Sequence, residues 1–261
     1  MKAYEIMEKA FEYGKDFNYV ETCDTLKAGS PDKEVKKLAI AMNPTVDVIR
    51  NAHNWGADML IVHEPMYYNH MDIHSDEAIE CEKRAFVEST DMTIYRFHDH
   101  PHRNKPDMIA KGEFDALGLE GEYDYTDIFD LVRVKLADPI TPVELAKYME
   151  QKLGIRHIRI AGTRDEKCTN ISSCFGAPGD VFEELSRPET QILLIGETCE
   201  WRLCEYARDA SLLGRKKAIL VLGHVGSERA GMVYFYELIK NDLPQLEIKY
   251  FETEEVYTYT D

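Results

Sequence analysis

Three segments of the chain bring histidine and carboxylate groups to the end of a short apolar run. In DMLIVHEPMYY (58–68) the run drives into His63 and Glu64, and Pro65 stops it. In MTIYRFHDHPH (92–102) a second run ends in His98, Asp99, His100 and His102. In AILVLGHVGSE (218–228) a third ends at His224 and reaches Glu228 four residues on. Apolar runs of this length predict buried strands, and α/β proteins gather ligand and catalytic groups at the C-terminal ends of their strands. Neutral imidazole and carboxylate together suit Zn, Fe, Mn, Co or Ni. Three such strand ends predict one shared metal site.

Each segment also has a plainer reading. Neighbouring side chains on a strand point to opposite faces, so His63 and Glu64 need the turn at Pro65 to converge. The cluster from His98 to His102 competes with a solvated surface loop. Glu228 could simply favour a helix N-terminus through the dipole. Jointly the three favour metal.

The elements that must position these groups alternate along the chain. Ile6, Ala10 and Phe11 mark one face of an amphipathic opening helix, and DFNYVETCDTLKAGSPD (16–32) reads as a polar loop. LAIAM (38–42) predicts a strand, Thr45 a helix cap and Gly56 the left-handed residue past that helix's end. The strand MLIV completes a strand–helix–strand unit, which implies parallel pairing. Ser75 is expected to cap a helix over 76–89, and a helix near 106–117 is expected to close the first half. LVRVKL, the Thr141-Pro142 helix ended by Gly154, IRHIRIAG, TNISSCF, QILLIGE, a helix running to Leu213, AILVL, a helix over 231–241 and LEIKYFE follow. The class is α/β, with mixed, mainly parallel sheets and two subdomains expected at 1–125 and 126–261. The last elements, from about 215, are expected to pack back on the first subdomain.

With 31 basic and 48 acidic residues the formal charge is −17, which repels phosphate backbones and makes nucleic acid an unfavourable partner. No apolar run approaches the roughly 20 residues a membrane helix needs, and no signal-like segment opens the chain, so the expected location is the cytoplasm. The six cysteines form no CxxC pair and read as buried apolar residues of a reducing compartment.

The order of features resembles the Nif-three-like family, many of whose bacterial members carry the label GTP cyclohydrolase I type 2 homologue. Its early DNxGLxxG loop, GAD[LM]IxxHHP segment, AHTNLD-like segment and GHYxxE segment find counterparts here. They are Asp24-Thr-Leu26-Lys-Ala-Gly29, Gly56-Ala-Asp58 through His63-Glu64-Pro65, His98 through His102, and Gly223-His224 through Glu228. The resemblance implies two divalent metal ions held by His63, Glu64, His98, His102, His224 and Glu228. Glu64 stands where the family has histidine, and His102 where it has aspartate. Asp99, His100 and Glu197 would support these ligands or substitute for them. The resemblance further implies intertwined subdomains, a dinuclear site in the cleft between them and a hexameric ring of identical chains.

On this reading the chain is a metal-dependent hydrolase acting on a small molecule, with Glu64 and Glu228 as catalytic carboxylates. The competing reading keeps the same ligands for metal storage, delivery or assembly, without turnover. A third, a metal-free α/β binding module, predicts a protein that purifies without transition metal.

Overall fold

The computed structural model describes residues 1–14, 21–126 and 131–260. The chain forms two compact units, Met1–Asn104 with Met232–Glu254 and Lys105–Gly231 with Glu255–Asp261. The loop expected over 16–32 lies partly outside the described residues.

The first unit opens with α1 (Ala3–Phe11), β1 (Leu26–Ala28), β2 (Lys37–Ala41), α2 (Val46–Trp55), β3 (Met59–Val62), α3 (Ala78–Ser89), β4 (Thr93–Arg96) and the short α4 (Asp99–Arg103). Thr45 caps α2 by accepting the Val48 amide, and Gly56 ends it at φ 85°, a left-handed conformation that costs glycine least. Helix α3 starts two residues later than expected. Glu77, not Ser75, accepts the Glu80 amide, while the Ser75 hydroxyl donates to the Glu80 carboxylate at 2.6 Å.

The second unit follows with α5 (Met108–Leu117), β5 (Gly121–Tyr125), β6 (Val132–Ile140), α6 (Pro142–Leu153), β7 (Arg159–Gly162), β8 (Cys168–Cys174), α7 (Phe182–Ser186), β9 (Ile192–Ile195), α8 (Glu205–Leu212) and β10 (Ala218–Val221). Helix α5 belongs here rather than with the first half of the chain, because its buried face packs with α6. Thr141 and Glu144 form a reciprocal capping box at the start of α6. Helix α9 (His224–Asp242) follows, the division between units passes between its Gly231 and Met232, and β11 (Glu247–Phe251) returns to the first unit.

The first sheet has the order β1-β4-β3-β2-β11, with β4, β3, β2 and β11 parallel and β1 antiparallel at one edge. All four residues of β3 are buried, as expected for a parallel strand covered on both faces. Ala39, Ala41, Leu60, Val62 and Ile94 pack with Val48, Ile49 and Ala52 of α2 and Val87 of α3. Burying each of the larger chains contributes roughly 1.5–3 kcal/mol. The second sheet, β5-β6-β8-β9-β10-β7, is parallel only over β8, β9 and β10, its other three pairings being antiparallel. Both sheets are therefore mixed, as expected, with the antiparallel pairings towards their edges. Helices α5 and α6 cover one face and α7 and α8 the other.

Glu113 of α5 is fully buried and accepts the Ala230 amide at 2.6 Å, while its Oε2 has no hydrogen-bond partner among the described residues. Burial raises its pKa to about 8 in spite of the amides that donate to it. A carboxyl raised in the folded state favours folding at low pH and opposes it as pH climbs through the folded value. The urea midpoint of the metal-free protein is therefore expected to fall between about pH 4.5 and about pH 8, and Glu113→Gln to flatten that part of the profile.

Candidate metal centre

Strand β3 hands its last residue directly to His63, whose amide donates to the Met42 carbonyl at 3.0 Å. Its ring is wholly buried, and Nδ1 lies 3.1 Å from the Phe97 carbonyl. A carbonyl can only accept, so Nδ1 carries the proton and Nε2 presents its lone pair. Burial, reinforced by the neighbouring His98 and His102 rings, pushes the pKa well below the ordinary histidine value. A neutral ring with a defined tautomer is what a metal ligand requires.

Helix α4 supplies the partners. The segment from His98 to His102 is a turn of helix rather than a loop continuing a strand, so residues 98 and 102 fall on one face. The cause is Asp24. Its carboxylate accepts the amides of His98, Asp99 and His100 at 2.7, 2.8 and 2.9 Å, satisfying the orphan donors at the start of the helix. Burial opposes charge on Asp24, yet these donors and the His100 ring hold its pKa below the usual carboxylate range. The triad that results has His63, His98 and His102 donor atoms all within 4.8 Å of one another. His63 Nε2 and His102 Nε2 are 3.1 Å apart. Two nitrogens sharing one tetrahedral zinc ion would be ~3.3 Å apart at ordinary bond lengths, so the pair already has the spacing of a shared cation.

Outer partners fix the rings. Asp99 Oδ1 lies 3.0 Å from His98 Nδ1. Burial disfavours charge on Asp99, but the His98 ring, the Thr22 hydroxyl and the Cys23 amide donate to it and depress its pKa. An ionised acceptor at Nδ1 leaves Nε2 as the lone pair of His98. The fully buried Arg96 donates from Nε to the His63 carbonyl at 2.9 Å and from Nη1 to the His70 carbonyl, and it lies 3.5 Å from Asp72, which also pairs with Lys27.

In the second unit, α9 begins at His224 itself, seven residues before the expected start, and this sets His224 and Glu228 one turn apart. Glu228 Oε2 is 3.2 Å from His224 Nε2, and Glu197 Oε1 is 2.7 Å from His224 Nδ1. Glu197 thus orients the ring while Nε2 and the carboxylate face one another, an imidazole–carboxylate donor pair. The turn GAPG explains the seating of Glu228. Gly176, at φ 63°, passes so near the carboxyl that a Cβ there would lie 2.2 Å from Oε1. Glycine is needed at Gly176 for that approach.

The residues singled out by sequence thus fall into sets. His63, His98 and His102 come together, with Asp99 supporting them. His224, Glu228 and Glu197 come together in their own unit. Glu64 is buried beside His63, its amide sharing the Met42 carbonyl, and is not part of the three-histidine group. His100 is turned onto Asp24 and packs against Phe11, ring centroids 4.6 Å apart, so it braces α4 instead of joining the triad. Trp201 is 77% exposed. Sequence reasoning gave Asp24 and Arg96 no role. The signal for Arg96 was a cation inside the apolar run MTIYRF, which is costly without buried acceptors. The signal for Asp24 was the loop motif DTLKAG.

These features define an α/β protein with side-chain groups that could hold metal. The chain belongs to the Duf34/NIF3 (NGG1p interacting factor 3) family, whose model matches residues 1–256. It is 22% identical over 228 residues to a Clostridium perfringens protein named GTP cyclohydrolase 1 type 2 homolog, covering 84% of this chain and 83% of that one. Among solved structures it is similar to the protein ybgI, described as of unknown function, with TM-score 0.77 and 18% identity over 98% of this chain and 100% of that one. It is also similar to reduced HcgD from Methanocaldococcus jannaschii, with TM-score 0.75 and 21% identity over 96% of this chain and 97% of that one. No helix among the described residues is long and apolar enough to cross a membrane.

Replacing Asp24 by Ala strips the acceptor from three consecutive amides and a buried ring. The expected cost is on the order of 3 kcal/mol in urea unfolding, together with weaker metal binding, because His98 and His102 lose their common helical frame. Unchanged stability would show that α4 forms without Asp24.

Proposed function

We propose that this protein is a divalent-metal-dependent hydrolase in which His63, His98 and His102, with His224 and Glu228, supply the metal ligands. The observation that supports this most is the 3.1 Å approach of His63 Nε2 and His102 Nε2 when His63 Nδ1 is already committed to a carbonyl. A neutral His63 can only accept at Nε2, so His102 must donate unless a cation lies between them. Imidazole-rich donors suit Zn, Fe, Mn, Co or Ni, and the two-ion stoichiometry implied by the family resemblance is part of this reading.

When bound, such ions lower the pKa of water and polarise the bond under attack. The chain's own contribution is to keep the buried His63 imidazole neutral, to fix the His63, His98 and His224 rings by partners at Nδ1, and to offer carboxylates. Glu64 and Glu228, both buried, are the groups assigned to proton transfer from the attacking water. The relatives' name points towards ring opening of a purine nucleotide. A charge of −17 works against a triphosphate unless cations offset it, so GTP is one candidate among small hydrolysable substrates. The homo-oligomeric ring belongs to the same reading, and exposed Trp201, Leu212 and Leu213 suit self-association.

The deep burial of His63 and His102, 0% and 4% exposed, favours a second reading in which the metal is stored or structural. Elemental analysis and turnover of GTP and simple phosphoesters with Mn, Fe or Zn separate the two. The hydrolase is expected to carry about two ions per chain, and both His63→Ala and His224→Ala to lose metal and turnover together. Tight metal uptake without turnover would leave the storage reading. Activity that survives both substitutions would remove these residues from the chemistry.

A further inference from the structure

A second group of donors in the first unit shares only His98 with the triad. The ligand atoms of Cys23, His70, His98 and Asp99 all lie within 4.8 Å of one another. Asp99 Oδ1 is 3.0 Å from His98 Nδ1 and 3.9 Å from His70 Nε2. Three separate stretches of chain meet here: the segment before β1, the loop after β3 and the start of α4. Each is held by contacts of its own. The Thr22 hydroxyl and the Cys23 amide donate to Asp99 Oδ2 at 2.7 and 3.1 Å, which turns Oδ1 towards the two histidines. Arg96 grips the His70 carbonyl, so the backbone of that exposed residue is anchored from beneath.

We propose that Cys23, His70 and Asp99 form a second divalent-cation site, of the thiolate–imidazole–carboxylate kind that zinc favours, joined to the imidazole triad through the His98 ring. The two sites do not compete for that ring. His98 Nε2 serves the triad, and Nδ1–H donates to Asp99, a carboxylate oxygen being able to accept a proton donor and ligate a cation at once. Donor atoms on a tetrahedral zinc ion lie ~3.3–3.7 Å apart, so an ion would draw this group inwards by about 1 Å. His70, whose side chain is 58% exposed, has the freedom to make that movement and marks the side of entry. Cys23 is 1% exposed, and burial pushes its thiol pKa up, so without a cation it carries no charge. Ligation breaks the S–H bond, sends the proton to solvent and forms a sulfur–metal bond with no change of oxidation state. The bound ion would clamp the Thr22–Asp24 segment onto the first turn of α4, and with it the His98 ring.

Thiolate ligation has a signature the triad cannot give. Cobalt(II) bound by nitrogen and oxygen shows only visible ligand-field bands, whereas a thiolate adds a sulfur-to-cobalt charge-transfer band in the near ultraviolet. The full-length protein, reduced and titrated with Co(II), is expected to show that band. It should persist in His63→Ala, which disables the triad, so the outcome is separable from that of the proposed hydrolase. It should vanish in Cys23→Ser and require about 10-fold or more Co(II) in His70→Ala. Circular dichroism checks that each variant is folded. Should Cys23→Ser fail to fold, protection of Cys23 from alkylation by Zn(II), mapped by mass spectrometry in the unmodified protein, replaces it. No charge-transfer band at saturating Co(II), a band that survives Cys23→Ser, a band lost in folded His63→Ala, or Cys23 alkylated equally with and without Zn(II) would each overturn the proposal.

Discussion

A single buried carboxylate, Asp24, holds the first unit's metal-donor geometry together. Without it the backbone from His98 to His100 would bury three amides with no acceptor, each costing on the order of 1–3 kcal/mol, and a five-residue helix has no intrinsic stability of its own. With it, α4 forms where propensity alone would leave a loop, and its pitch brings His98 and His102 to the same side. The His100 ring supplies the countercharge or donor that makes a buried carboxylate tolerable. Histidines of two kinds therefore alternate along one short helix: His98 and His102 face the donor cluster, and His100 between them braces the helix.

The strand-to-histidine pattern was legible because apolar runs and their chemistry-bearing ends are local in sequence. β3, β4 and β10 are found where the runs MLIV, TIYR and AILV predict them, and the Thr45 and Thr141 caps are written into adjacent residues. What was not legible depended on distant partners. The helical state of residues 99–103 is imposed by Asp24, 75 positions earlier in the chain from Asp99. The early start of α9 has no local warning either, since Gly223, Gly226 and Gly231 all read as helix-poor. Close approach explains two of these glycines: a Cβ on Gly231 would strike the Ile109 backbone, and one on Gly226 the Ile155 side chain. Packing, not propensity, sets that helix.

Positioning of donor rings through Nδ1 recurs in both units. Three of the donor rings have Nδ1 occupied, by the Phe97 carbonyl for His63, by Asp99 for His98 and by Glu197 for His224. Behind the first of these stands Arg96, joined to Asp72 and through it to Lys27, so a charge network buried beneath the sheet end holds the backbone on which His63 sits. Such networks gain little net stability, and their value lies in fixing one geometry among several.

The first unit is completed by residues that lie far along the chain. Strand β11 pairs with β2 in register from Glu247 on Lys37 to Phe251 on Ala41, although more than two hundred positions separate them. During translation, β2 must wait with an unpaired hydrogen-bonding edge while the ribosome delivers the whole of Lys105–Gly231, a continuous stretch able to collect its own core meanwhile. Vectorial synthesis thus favours maturation of the inserted unit before the one that begins the chain, and leaves nascent β2 as the place where a chaperone or a stray strand would first attach.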